Sequence, residues 1–219
     1  MRGMTWERWG AASGLVALVF AGVAVGFERS TPDPDPSAAE IVEFYVANRS
    51  ALLVQSLLFV LSAGLFLWFV AGLRSHLARA EGHTGRVSSI VYAAGNVWVT
   101  VNLAVQAPQI ALARAAPGGL DPGVTEVVND VGLALATIAD VPVAVLVTGV
   151  GVLSLRARIF PAWVGWLSMA VAALHLVALF GVTADGGPLA PGGWVTFVVY
   201  PAFVVWLVAV IASMSRPPR

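Results

Sequence analysis

The sequence predicts an all-α fold: a polytopic membrane protein with a bundle of six transmembrane helices and a short outer interfacial helix. Three observations lead there. The 219 residues are 58% hydrophobic and 11% charged, with mean hydropathy +0.85, whereas soluble domains carry about a quarter charged residues. A water-soluble fold so poor in charge lacks the polar surface to cover itself. Six apolar stretches, bounded by charges or Pro/Gly clusters, cover 10–27, 51–73, 87–113, 127–155, 161–182 and 194–213. Each can cross about 30 Å of hydrocarbon at about 1.5 Å per helical residue. The stretches are continuous rather than alternating, which argues against a barrel. The chain reads as one integral membrane domain.

Span one follows Arg2 and Arg8. A signal peptide cleaved near Ala24-Val25-Gly26 competes with a retained span. The Gly10/Gly14 and Gly22/Gly26 pairs favour retention, since small residues four apart let helices approach closely. The same spacing allows a homo-oligomer. The first outer loop begins with Pro32, Pro34 and Pro36 alternating with Asp33 and Asp35, which gives an extended spacer. Ser37 with Glu40 three residues on is a capping-box pattern. The helix it starts carries Ile41, Phe44 and Tyr45 on one face. It either lies at the interface or runs on into span two.

Residues 77–86 form a short basic inner loop, and 115–125 and 184–193 are Pro/Gly turns. Spans three and four are longer than a bilayer needs, so each tilts, bends or projects. Pro108 bends the outer third of span three. Pro142 in span four lacks a backbone donor, frees the carbonyl of Ile138 and predicts a kink there. No internal repeat marks an inverted-repeat transporter.

Orientation follows from the twelve arginines, there being no lysine. Arg2, Arg8, Arg74, Arg79, Arg86, Arg156, Arg158, Arg216 and Arg219 fall on one side; only Arg29, Arg49 and Arg114 fall on the other. Glu28, Asp33, Asp35, Glu40, Glu43, Asp121, Glu126 and Asp185 lie on or near that second side. The positive-inside rule therefore places both termini in the cytoplasm. Trp6, Trp9, Trp68, Trp163 and Trp166 fall at the inner ends of spans, as an interfacial belt does.

Polar groups at membrane depth are costly and so mark candidate function. On span four, Glu126, Asn129, Asp130, Thr137, Asp140 and Thr148 share roughly one 100° sector. Asp140 lies near mid-span, and no arginine lies at its depth. Desolvation then favours its protonated form. Span three supplies Asn102, Gln106 and Gln109 on one face, with Asn96, Thr100 and Tyr92 on a second. Gln55, His175 and Tyr200 fall in the outer halves of spans two, five and six. The expectation is an outward-facing polar pocket with Asp140 at its floor. Its lining is Asn102, Gln106, Gln109, Asp130, Thr137, Gln55, His175 and Tyr200. For Asn96, Asn102 and His175 the competing reading is a hydrogen bond that only fixes helix packing. For Asp130 it is hydration at the outer interface.

Much chemistry is unsupported. There is no Cys, and His76, His83 and His175 lie on separate segments, so no metal site is expected. Nucleotide-loop and nucleophile-elbow motifs are missing, no cofactor is implied, and zero net charge argues against a nucleic-acid partner. The junction Arg156-Ala-Arg-Ile-Phe-Pro-Ala-Trp-Val-Gly-Trp-Leu167, the opening Trp9-Gly-Ala-Ala-Ser-Gly-Leu15 and the acidic first outer loop are the distinctive features. In them the chain resembles uncharacterised six-helix bacterial inner-membrane proteins of a domain-of-unknown-function family. High Ala, Gly, Val and Arg with no Lys is of the actinobacterial type. The resemblance implies a bacterial cytoplasmic membrane location and no catalytic residues.

Two functional classes remain. The first is a membrane protein, embedded in lipid, that binds a small or lipidic ligand in the outward pocket. The second is an intramembrane acid–base enzyme, such as a terpenoid cyclase-like protein, with Asp140 and Asp130 as catalytic candidates. A proton-coupled carrier needs an access path on the apolar cytoplasmic side and has less support.

Overall fold

The computed structural model describes residues 6–27, 36–82, 85–184, 186–190 and 193–215. Arg2, Arg216, Arg219, Glu28, Arg29, Asp33, Asp35, His83, Asp185 and most of the proline spacer lie outside the described residues. The described chain is helical, and six of its helical segments are long and apolar enough to cross a membrane. In order they are α1 (Trp6–Gly26), α2 (Ala38–Glu81), α3 (Arg86–Ala115), a span split into α4 (Pro122–Ile138) and α5 (Asp140–Ala157), α6 (Ala162–Ala178) and α7 (Trp194–Met214). A 3-10 turn, Leu179–Thr183, extends α6. Neighbouring spans pack in chain order, and α7 closes the bundle against α1. The ends near Glu81, Arg86, Ala157, Ala162 and Met214 form a terminal face; the opposite ends form a distal face.

Helix α2 corrects one expectation. Residues 38–50 are not a separate interfacial helix but the opening turns of a 44-residue helix. Ser37 and Glu40 form the capping box, with the Ser37 N–H donating to Glu40 Oε2 at 2.8 Å. No Gly or Pro follows until Gly64, so nothing stops propagation once the helix is nucleated. The extension is also covered by protein. Ile41, Tyr45 and Leu52 are buried with Leu112 and Ala113 of α3, and Val128 of α4 packs on them. At its other end α2 serves the next helix: Glu81 accepts from the N–H groups of Val87 and Ser88 at 2.7 and 2.8 Å, satisfying donors that α3 leaves open.

Close approach is set by glycine at a few positions. A Cβ on Gly10 would lie 2.7 Å from Gly72 Cα, and one on Gly14 would lie 2.6 Å from Phe69 Cδ2. The first glycine pair therefore seats α1 on α2. Gly22 and Gly26 face open space. In the α5–α6 hairpin, Gly151 lies against Ser168 and Gly165 against Leu155 and Ser154.

The main core fills the terminal half, where Phe66, Phe69, Leu73, Val91, Leu146, Val150, Val164 and Trp206 are buried together. Trp9, Trp68, Trp163 and Trp166 are all exposed near the terminal face, as interfacial tryptophans are. Pro108 leaves α3 continuous and packs near Gly132 of α4. Pro142 has the larger effect. It offers no N–H to the carbonyl of Ile138, and the helix breaks at Ala139, which caps both halves.

Candidate functional site

Asp140 is the first residue of α5, directly after the break. Ala139 keeps helical dihedrals, φ −61° and ψ −18°, and its N–H donates to the Leu135 carbonyl, so the interruption is confined to one residue. Across the bundle, α6 brings His175 to the carboxylate, with His175 Nδ1 2.7 Å from Asp140 Oδ1. The imidazole is 2% exposed and the carboxyl side chain 13%. Where the carboxylate is ionised it only accepts, so Nδ1 is then the donor of this bond. In the neutral imidazole this leaves Nε2 as the acceptor. Nε2 is buried and has no hydrogen-bond partner.

The ring of His175 stands edge-on to Phe203, with centroids 6.0 Å apart. Phe203 continues an aromatic cluster: Trp98 lies 5.2 Å from it, Phe66 4.7 Å from Trp98, and Trp206 5.4 Å from Phe203. Trp206 is buried and donates through Nε1 to Ser168 Oγ at 2.8 Å, which fixes α7 against α6. Through Phe203 the pair adjoins an apolar aromatic cluster drawn from α2, α3 and α7. No group of three or more His, Cys, Asp or Glu able to hold a metal occurs among the described residues.

The sequence expectation gathers Asp140 and its eight lining residues in one pocket; the structure divides them. Gln109 bridges α3 to α2, its Nε2 lying 3.1 Å from Gln55 Oε1 and 2.8 Å from Ser56 Oγ. Tyr45 reaches Asn129 of α4 at 3.3 Å. Asn102 bonds the Trp98 carbonyl of its own helix, and Asn96, Thr100 and Thr137 likewise bond carbonyls one turn back. Gln106 has a buried Oε1 without a partner. Asp130, Glu126 and Tyr200 are exposed. Of the expected lining, the structure brings His175 to Asp140.

Two open grooves lie on the surface. One, of about 440 Å³, is lined by Ala71, Arg74, Ser75, Ser89 and Tyr92, with the Arg74 guanidinium 5.7 Å from the Tyr92 ring centre. The other, of about 420 Å³, is lined by Arg49, Leu53, Leu57, Val60, Ile110 and Arg114. Neither includes Asp140 or His175.

No relative is found. Family models, curated proteins and solved structures all fail to match the chain. The site must be read from its own geometry.

The residues sequence reasoning missed are Phe203, Trp206 and Phe66, together with the pairing of Asp140 to His175. A signal for the pairing exists. If Gly151 opposes Ser168, the same antiparallel register carried along the hairpin sets residue 175 opposite 144, about one turn from Asp140. Small residues at 151, 165 and 168 are what define that register.

Proposed function

We propose that this six-span membrane protein binds a small or lipidic ligand at the Asp140–His175 pair. The observation that carries the reading is the buried, unpartnered Nε2 of an imidazole whose other nitrogen is held by a carboxylate. An unsatisfied buried polar atom costs about 1–3 kcal/mol, and a ligand donor such as a hydroxyl or amide N–H removes that cost. Beside the pair, Pro142 lacks the N–H that would bond the carbonyl of Ile138 one turn back. In our reading the membrane is the bacterial cytoplasmic membrane, with both termini inside. Arg74, Arg79, Arg86, Arg156 and Arg158 near the terminal face, against Arg49 and Arg114 near the distal face, support that orientation.

The test compares molecules that remain bound to wild type and to His175→Phe, each taken from membranes directly into nanodiscs and extracted for mass spectrometry. A species enriched in wild type and lost from an equally helical, monodisperse variant is expected. Identical extracts would overturn the reading.

A second reading, intramembrane acid–base catalysis, has one specific observation in its favour. Orientation of an imidazole by a carboxylate is how a general base is held in the reactive tautomer. It would place the proton transfer at His175 Nε2, with Asp140 as the orienting group. Asp130 does not join it, being exposed on α4. Turnover of an added prenylated substrate by wild type, lost in both His175→Gln and Asp140→Asn, would select this reading over simple binding.

A further inference from the structure

Arg49 and Arg114 lie near the distal face, opposite the arginine-rich terminal face, and the Asp140–His175 pair accounts for neither. They line one groove between α2 and α3. Arg49 opens a stripe on α2 that continues through Leu53, Leu57 and Val60; Arg114 stands one turn beyond Ile110 on α3. Because α2 and α3 are antiparallel, both guanidinium groups fall at the same end of the groove. Among the described residues neither forms an ion pair, and the Nε of Arg49 is buried without a hydrogen-bond partner. Arg114 also sits in the last turn of α3, where the helix dipole favours a cation. That leaves its donors open to a further partner.

We propose that this groove is a binding site for one anionic phospholipid, its phosphate held between Arg49 and Arg114. One acyl chain lies along Leu53, Leu57, Val60 and Ile110. The dimensions agree. Residues 49 to 60 of a helix span about 16 Å, close to half of a hydrocarbon core of about 30 Å, which is the depth of one leaflet. The chemistry agrees as well: two guanidinium groups offer fork-like donors to phosphate oxygens, and a wall of branched aliphatic side chains suits an acyl chain. A zwitterionic lipid carries its own cation beside the phosphate and gains less. The site shares no residue with the Asp140–His175 pair.

The full chain, purified in detergent, is titrated with dioleoyl phosphatidylglycerol or dioleoyl phosphatidylcholine, and bound lipid is counted by native mass spectrometry. Wild type is expected to retain phosphatidylglycerol selectively. The double variant Arg49→Gln, Arg114→Gln is expected to bind it about 30-fold more weakly, from about fivefold per arginine near the headgroups. Arg156→Gln, which removes an exposed cation at the terminal face, leaves binding unchanged. Leu57→Trp keeps both charges but fills the groove and also weakens binding, so the proposal stays testable if the double variant does not fold. Equal retention of the two lipids would overturn it. So would undiminished phosphatidylglycerol binding in the double variant or in Leu57→Trp, an equal loss in Arg156→Gln, or displacement of the lipid by inorganic phosphate alone.

Discussion

Helices α4 and α5 form one span in the sequence and two different objects in the fold. Of the 17 residues of α4, only Thr125 and Thr137 are buried; of the 18 residues of α5, ten are. The α5 helix packs between α3 and α6, with Gly149 against Val91 of α3 and Gly151 against Ser168 of α6. The α4 helix leans on the ends of α2 and α3 and leaves Val124, Val127, Val131 and Ile138 exposed. Both halves are equally apolar in character, so composition does not distinguish them. The difference lies in the size of the side chains that face protein. Small residues let α5 approach its neighbours, whereas Val124, Val127 and Val131 of α4 are exposed and suited to face lipid, with Val128 packed against α2 and α3. Asp140 sits where the two regimes meet. It gains an imidazole from α6, and the interruption beside it follows from Pro142.

The largest test of this contrast is steric. Gly165→Leu puts a side chain where Leu155 Cγ already lies 2.7 Å from an added Cβ. Overpacking of a tight core costs about 1–3 kcal/mol, occasionally more, and backbone contact across the hairpin leaves little room to relax. A large fall in the thermal midpoint in detergent, or failure to fold, is expected. Gly123→Leu in α4 meets only Asp121 Oδ1 at 3.5 Å and should cost well under half as much. Equal losses would show that α4 is packed as tightly as α5.

The next effect concerns the junction. Removing either partner of the Asp140–His175 bond should cost about 1.5–3 kcal/mol, as for hydrogen bonds to charged groups. Asp140→Asn keeps size and polarity; His175→Phe keeps the ring against Phe203. In a double-mutant cycle by reversible unfolding, the two changes should be non-additive by about 1 kcal/mol or more. Additivity would mean that the 2.7 Å contact contributes nothing to stability, and that the junction is held by Pro142 and packing alone.

How much of this was legible depended on whether a feature is local. The six spans follow from hydropathy, the α2 start from Ser37 and Glu40, and the break from Pro142; each needs only a few neighbouring residues. The continuous α2 was legible as one of two readings, since no breaker separates 38–50 from the span. The dispersal of the polar residues was not. Asn102 and Thr137 belong to the expected lining, and Asn96 and Thr100 to the second face of span three, yet each bonds a carbonyl one turn back. A short polar side chain in a dry helix finds that acceptor without help from tertiary structure. The pairing of Asp140 with His175 depends on hairpin register, and depth counted from span ends places the two residues only to within about a turn.

The smallest effect isolates α4 from the rest. Asp121 caps it, accepting from the Val124 N–H at 2.9 Å, with Pro122 in the first helical position. Asp121→Ala removes that bond, and losing such a cap costs about 1 kcal/mol. Because α4 buries so little, this cost should appear as local opening rather than global unfolding. Amide exchange is expected to rise in the first two turns of α4, with protection in α5 and α6 unchanged and the global unfolding midpoint barely moved. If α5 loses protection in step with α4, the break at Ala139 transmits stability instead of separating the halves. The Asp140–His175 site would then be part of one cooperative unit with the peripheral helix, and the contrast between the two helices would be one of burial without being one of stability.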